Sequence, residues 1–202
     1  MTDLPTADQI ENELPESLPE PLSAPLPAPR ASWVQLEPRS LQEMVEFAER
    51  LSVSTLVPTV FFKKPGDILV TMQWGYEIGL RPIQSLNSIA VINGRPSIFG
   101  DAAIALVWAS KLCLSYDDWV ENEDDTPHMI GVAKSHRKGT PGPIERRFSM
   151  ADATNALLLR KMGPWQQYPK RMLVMRARGF LLRDLYADVL RGLITTEELQ
   201  DY

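Results

Sequence analysis

The sequence predicts an α+β fold in which a β-hairpin and an antiparallel three-stranded meander pack against several helices, the last of them long and basic. Three observations support this prediction. Asn93 and Gly94 separate two short apolar runs, which is the strongest short hairpin signal because both turn residues tolerate positive φ. Three further runs rich in strand-forming residues follow one another between polar turns. Segments with apolar residues at helical spacing lie on both sides of these runs.

Residues 1–31 have a composition that does not suit this fold. Before Arg30 they contain seven prolines and six acidic residues, with no base and no aromatic side chain. Such a segment cannot bury enough apolar area to offset its chain entropy. We therefore expect a disordered, acidic, Pro-rich tail over 1–31 and one folded domain over 32–202.

The sequence also has features typical of a soluble protein. The first residues lack the basic start and the apolar run of a signal peptide, and no later apolar stretch is long enough to span a bilayer. The single cysteine, Cys113, excludes an internal disulfide and fits a reducing compartment. These features indicate a cytoplasmic location without membrane contact.

The first half of the domain is predicted to place helices around the hairpin. A first helix begins at Ser40, and its apolar residues at helical spacing should pack on one face. A second helix begins at Pro65, whose fixed φ suits the first helical position, and ends before Gly79. The two hairpin strands and the helix that follows them are predicted at 88–92, 95–99 and 101–111.

The second half contains the meander and the basic helix. The meander strands are predicted at 112–120, 129–136 and 144–148, and a helix with a capping-box-like start is predicted at 149–159. After a break at Gly163 and Pro164, a long helix is predicted at 169–186, with Met172, Met175, Gly179 and Leu182 facing the core. Because residues seven apart share a helix face, Arg171 pairs with Arg178 on one face and Arg176 with Arg183 on another.

Positive charge is concentrated near the carboxyl-terminal end. Residues 134–191 contain thirteen basic and four acidic side chains, whereas the whole chain has a net charge of −5. This distribution is typical of a surface that binds a polyanion. The alternative is an ordinary solvated surface in which arginine stems cover apolar groups. We favour the polyanion because an ordinary exposed helix carries both signs in i,i+4 pairs, and acids are scarce here.

Aromatic and amide side chains lie between the predicted basic helices. An aromatic ring such as that of Trp165 or Tyr168 can stack on a base, and Gln166 can hydrogen-bond to a phosphate or a base edge. Packing of these residues at a hinge is the alternative interpretation.

Common catalytic signatures are absent from the sequence. There is no GxxxxGK[ST] phosphate loop, and no GxSxG, HExxH or CxxC motif, so ATP-driven or metal-hydrolytic chemistry is not expected. The acidic run over 117–125, together with His128 or His136, leaves a metal-dependent nuclease as a remaining alternative. We interpret that run as a solvated loop and the two histidines as surface residues of a strand.

Three runs form a recognisable pattern together with the arginines of the last helix. They are Met72–Leu86 (MQWGYEIGLRPIQSL), Ile89–Pro96 (IAVINGRP) and Gly163–Leu173 (GPWQQYPKRML). The pattern resembles phage and prophage recombinases of the RecT type, which are single-strand annealing proteins related in function to the Red beta protein of phage lambda. The resemblance extends over residues 41–199 and implies that 32–202 is an annealing core domain.

This resemblance implies ATP-independent, sequence-independent binding of single-stranded DNA and annealing of complementary strands in phage-type homologous recombination. It implies no bond-making or bond-breaking chemistry, no catalytic residue, no metal site and no cofactor, with magnesium only a modulator of annealing. The alternative is a non-annealing DNA-binding or scaffold protein of the same fold.

The implied partners are single-stranded DNA, the annealed duplex intermediate and further copies of the chain in a ring or helical filament. A phage exonuclease and a host single-strand-binding protein are further candidates, all in the cytoplasm of a bacterial host cell. The candidate DNA-binding residues are Lys161, Trp165, Gln166, Tyr168, Lys170, Arg171, Arg176, Arg178, Arg183, Arg146 and Arg147.

Overall fold

The computed structural model describes residues 37–160 and 162–201. The tail predicted over 1–31 lies outside the described residues, and so do 32–36, Lys161 and Tyr202. The fold of the described part is α+β, as predicted.

Three helices form a layer at the amino-terminal side of the domain. They are α1 (Leu41–Ser52), α2 (Pro65–Glu77) and α3 (Pro82–Ser88), and a 3-10 turn at Thr59–Phe61 joins the first two. The Ser40 side chain caps α1 by accepting the Glu43 N–H, as the pattern predicts. Helix α3 was not predicted from the sequence, although Pro82 occupies its first turn. These elements share a small core made of Ala48, Phe61, Ile68, Met72 and Leu86.

The hairpin forms where the Asn-Gly pair predicts it. Strands β1 (Ile89–Ile92) and β2 (Arg95–Ile98) are antiparallel, and the turn residues have φ of 51° at Asn93 and 76° at Gly94. A short strand near the carboxyl-terminal end, β6 (Ile194–Thr195), pairs parallel to β2. Two residues are too few to give a strand pattern, so this strand was not predicted from the sequence.

The second sheet is the predicted antiparallel meander, in the order β3-β4-β5. Helix α4 (Gly100–Ala109) precedes it, and its strands are β3 (Cys113–Glu121), β4 (Ile130–Arg137) and β5 (Ile144–Ser149). A 3-10 turn places His128 before β4 and not on a strand, which corrects one part of the histidine interpretation.

The helix predicted over 149–159 is shorter in the structure. A capping box between Ser149 and Asp152 begins α5 (Met150–Asn155), as expected. The helix ends because Leu157 adopts a left-handed φ of 59°, and a separate 3-10 turn follows. A single turn of helix, α6 (Pro164–Gln167), leads into the long helix.

The long basic helix, α7 (Pro169–Leu185), lies at the centre of the domain. It crosses the meander so closely that a Cβ added to Gly131 of β4 would lie 2.2 Å from the carbonyl carbon of Leu173. All residues from Met172 to Gly179 are buried. A short helix, α8 (Thr196–Leu199), packs against α7 at the carboxyl-terminal side. The flanks of α7 are therefore covered by other elements and do not form an open wall.

No helix in the described part of the chain is both long and apolar enough to cross a membrane.

Candidate nucleic-acid interface

The four arginines of α7 lie on two faces of the helix, two on each face, as their spacing predicts. Arg171 and Arg178 both donate to the carboxylate of Asp101, on the first turn of α4. On the other face, Arg183 donates to the Glu198 carboxylate and Arg176 to the Glu198 carbonyl. The pattern thus located the faces correctly but missed the acidic partners, which are distant in sequence.

Arg178 is buried in a hydrogen-bond network. Its Nη2 donates to Oδ2 of Asp118 at 2.6 Å, and its Nε lies 3.0 Å from both that oxygen and the hydroxyl of Tyr116. The third nitrogen, Nη1, donates to Oδ1 of Asp101 at 2.8 Å. Burial raises the pKa of the Tyr116 hydroxyl well above its ordinary value, so this group stays neutral. Arg178 therefore does not lie on an open surface, as the polyanion interpretation expects, because β3 covers it.

Arg176 is buried as well. Its Nη1 donates to Oδ2 of Asp201 at 2.9 Å, and its guanidinium lies 5.3 Å from the ring centroid of Phe180 and 5.7 Å from that of Phe148. Arg183 is half-exposed, but its partner Glu198 is fully buried. These contacts hold the carboxyl-terminal segment against α7. Arg176 is therefore not placed to contact phosphate, contrary to the expectation.

The aromatic residues before α7 have different roles. Trp165 is buried, packs against Phe148 and donates its indole N–H to Asp201 at 2.7 Å, so packing is its role here and an exposed stacking role is wrong. Gln166 is exposed and donates to the Leu159 carbonyl at 3.0 Å. Tyr168 is 64% exposed, which leaves its ring accessible to a base.

The two strand arginines lie on opposite faces of the meander. Arg146 points toward α7 and donates to Asp184 at 2.7 Å. Arg147 lies on the other face and forms ion pairs with Glu145 and Glu121. Both are partly exposed, and both have intramolecular carboxylate partners.

The first turn of α7 is the most exposed part of the predicted site. The side chains of Lys170 and Arg171 are 51% and 54% exposed, and their partners Glu123 and Asp101 are more exposed still. The closest N···O distances are 3.4 and 3.3 Å, and ion pairs of this kind contribute at most about 1 kcal/mol. An external anion can therefore replace these carboxylates at low cost.

The helix geometry favours an anion at the same place. The first turn of α7 contains two cations and no acid, although the amino-terminal end of a helix carries partial positive charge. Within the described part of the chain, no side chain caps this helix start. Lys170 and Arg171 thus add positive charge where an anion, and not a cation, is stabilised. We define the first-turn surface as Tyr168, Lys170 and Arg171.

The scarcity of nearby acids has a structural explanation. Six of the carboxylates that pair with the cations of residues 134–191 come from outside that segment. They are Asp101, Asp118, Glu121, Glu123, Glu198 and Asp201. Over residues 37–202 the chain has 20 acidic and 20 basic side chains. The positive charge of residues 134–191 is therefore largely balanced by acids elsewhere in the domain. The scarcity of acids in that segment no longer supports a polyanion-binding surface, and the support that remains comes from the exposed cations.

Among the described residues, the acidic loop and the two histidines do not form a metal-binding cluster. His128 Nδ1 lies 2.8 Å from Oδ2 of Asp125, and His136 Nε2 lies 3.4 Å from the Thr140 carbonyl. Within 37–160 and 162–201, no group of three or more His, Cys, Asp or Glu side chains is arranged to hold a metal ion.

No protein-family model matches this chain, and no curated protein matches it either. The functional assignment therefore depends on the residues described above.

Proposed function

We propose that this chain binds single-stranded DNA without sequence preference and anneals complementary strands without ATP, as RecT-type recombinases do. One observation carries the proposal. Lys170 and Arg171 are exposed on the first turn of α7, directly after the exposed ring of Tyr168. Exposed cations beside an exposed aromatic ring are the combination that binds a flexible strand through its phosphates and its bases.

The combination suits annealing because it does not read sequence. Cations bind every phosphate alike, and every base offers a face on which an aromatic ring can stack. Annealing itself needs no fuel, since base-pair stacking releases about 1.4 kcal/mol per step. The obstacle is kinetic, because two bare strands repel each other and fold on themselves. A surface that neutralises the backbone and holds the strand extended lowers both barriers.

The runs that resemble RecT-type proteins support the proposal. Gly163–Leu173 contains the exposed first turn of α7, and Met72–Leu86 and Ile89–Pro96 form the end of α2, α3 and the hairpin. A surface of two cations and one aromatic ring on one copy spans only a few nucleotides, so we further propose that several copies assemble along the strand.

The experiment compares two double variants that remove the same charge. K170A/R171A removes two exposed cations of the first-turn surface. K63A/K64A removes two exposed cations before α2 and serves as the control. Affinity for a fluorescent oligothymidylate is measured from low to moderate salt, and annealing is followed by the appearance of duplex from complementary oligonucleotides.

We expect a log–log salt slope of about −1.4 per copy for the wild type, from about 0.7 for each of Lys170 and Arg171. K170A/R171A should lose most of the slope and of the annealing, whereas K63A/K64A should resemble the wild type. Equal effects of the two variants would contradict the assignment.

The same assays separate the alternative function. A non-annealing DNA-binding or scaffold protein would show the salt-dependent affinity but would not accelerate duplex formation.

A further inference from the structure

Asp101 lies between two arginines at the edge of the first-turn surface. Its Oδ1 accepts hydrogen bonds from Arg178 Nη1 at 2.8 Å and from Arg171 Nη2 at 3.3 Å, and Arg171 also lies 3.4 Å from Oδ2. The carboxylate itself is 74% exposed, whereas the side chain of Arg178 is only 8% exposed. One buried and one exposed guanidinium thus converge on a single solvent-facing oxygen.

The hydrogen bonds around Asp101 allow another anion to replace its carboxylate. Asp118 binds Arg178 through two nitrogens and keeps its buried charge paired whether or not Asp101 is present. The amino-terminal end of α4 does not depend on Asp101 for its hydrogen bonds either, because Glu197 accepts the Gly100 N–H at 3.1 Å. Asp101 can therefore rotate into solvent without leaving a buried charge or an unpaired helix start behind.

We propose that Arg171 and Arg178 form a binding site for one phosphate group, and that the carboxylate of Asp101 occupies this site until a ligand displaces it. This inference rests on the proposed function in that a phosphodiester of single-stranded DNA is the expected ligand. Carboxylate and phosphodiester each carry one negative charge, so the exchange keeps the local charge neutral. Two guanidinium groups around one oxygen suit phosphate, whose several oxygens can accept from both at once.

The site explains how a buried arginine takes part in binding an external anion. Arg178 presents only Nη1 toward the surface, and this nitrogen is the one that Asp101 holds. The partly buried Asp118 and Tyr116 fix the other two nitrogens, so the donor is already oriented when the ligand arrives. Asp101 acts as an internal competitor that lowers the affinity for phosphate.

The test is D101N, which keeps the size of the side chain and removes its charge. The control is D67N, because Asp67 is also an exposed acid on the first turn of a helix and lies 3.9 Å from Lys64. We expect D101N to bind an oligothymidylate about fivefold more tightly than the wild type, which corresponds to the loss of one competing surface ion pair. D67N should change the affinity much less.

A second arm uses pyrophosphate, so that the site is tested without nucleic acid. The Nε–H signals of Arg171 and Arg178 are followed by NMR while pyrophosphate is added to the wild type, to D101N and to D101N/R171A. Both signals should shift in D101N at lower pyrophosphate concentration than in the wild type, and removal of Arg171 should abolish the gain.

Equal gains in D101N and D67N would overturn the proposal, because they would show a general effect of net charge. Absence of any pyrophosphate response at the two arginines in D101N would overturn it as well. Pyrophosphate binding at these arginines without binding of oligothymidylate would instead support the phosphate site and contradict the proposed function.

Discussion

Arg171 and Arg178 donate to the same oxygen of Asp101, although the side chain of Arg171 is 54% exposed and that of Arg178 only 8%. The two residues are seven apart on one face of α7, so their positions differ by two helical turns. Arg171 therefore lies at the solvent edge of the domain, whereas Arg178 lies at the interface between α7 and the meander. Two arginines of the same predicted face therefore have different energetic roles.

Replacement of these two arginines by alanine should separate their roles. R178A leaves Asp118, whose side chain is 21% exposed, without its arginine partner and should lower the free energy of unfolding by about 3 kcal/mol, the lower end of the range for a broken buried pair. R171A breaks only exposed contacts and should cost at most about 1 kcal/mol. Urea unfolding followed by circular dichroism measures both. Similar stabilities for the two variants would mean that Arg178 is not buried as described. A variant lacking both arginines is a poor test of DNA binding, since loss of the fold alone would abolish binding.

Replacement of two aromatic residues near α7 by alanine should have opposite effects on stability and on DNA binding. Y168A should leave stability nearly unchanged because the ring is exposed, but it should weaken binding of an oligothymidylate by about 1–3 kcal/mol if one base stacks on the ring. Y168F keeps the ring and should bind normally. W165A removes a buried ring and its hydrogen bond to Asp201 and should destabilise the fold by about 3–5 kcal/mol. Fluorescence anisotropy and urea unfolding give the two quantities, and normal binding by Y168A would exclude stacking at this position.

Much of the fold could be predicted because the relevant signals are local. The Asn-Gly turn fixes the hairpin, and Ser40 and Ser149 cap helices where the sequence places them. The missed elements are short or depend on distant contacts. The two residues of β6 form a strand only because β2 lies beside them.

The candidate site was harder to predict because burial and ion pairing are not local. Heptad spacing correctly gave the shared faces of the α7 arginines, but it could not reveal that β3 covers Arg178 and that the carboxyl-terminal segment covers Arg176. The counter-charges of Arg178 lie 60 and 77 residues away, at Asp118 and Asp101. A count of charges along one segment cannot include such partners. Tyr168 and Trp165 are close in sequence, and only the packing of Trp165 on Phe148 distinguishes them.

Acid should weaken the contact between the meander and the end of α7. The carboxylate of Asp188 accepts two hydrogen bonds of 2.6 Å from Arg137, and the bonding to Arg137 lowers the pKa of Asp188 to about 2. Because this pKa lies below the ordinary value of 3.8, the pair stabilises the fold above pH 4 and the contribution is lost as pH falls through about 2. The full shift corresponds to more than 2 kcal/mol, but Asp188 is 57% exposed, so we expect about 1 kcal/mol or less.

The measurement for this pair is the free energy of unfolding of D188N relative to the wild type at several pH values. D188N should be less stable at pH 7, and the difference should shrink below pH 4. D124N removes an exposed acid that has no ion pair among the described residues, and it should follow the wild type at neutral pH. A difference between D188N and the wild type that stays constant down to pH 2 would exclude Asp188 as the titrating group.

Close packing of α7 on the meander should make Gly131 intolerant of any side chain. A Cβ at this position would lie 2.2 Å from the carbonyl carbon of Leu173 and 2.5 Å from the amide nitrogen of Val174. Both are backbone atoms inside a helix, so neither can move without shifting α7 off the sheet. G131A should therefore cost more than about 4 kcal/mol, which is exceptional for the addition of one methyl group.

The control is G66A on the first turn of α2, where an added Cβ meets no atom within 4 Å. This change should leave stability unchanged or raise it by up to about 1 kcal/mol, because alanine loses less backbone entropy in a helix than glycine. Urea midpoints for both variants test the prediction. Equal midpoints would mean that α7 does not contact β4 at Gly131. A large loss confined to G131A would show that the helix carrying the first-turn surface is held in place by direct contact between its backbone and the strand.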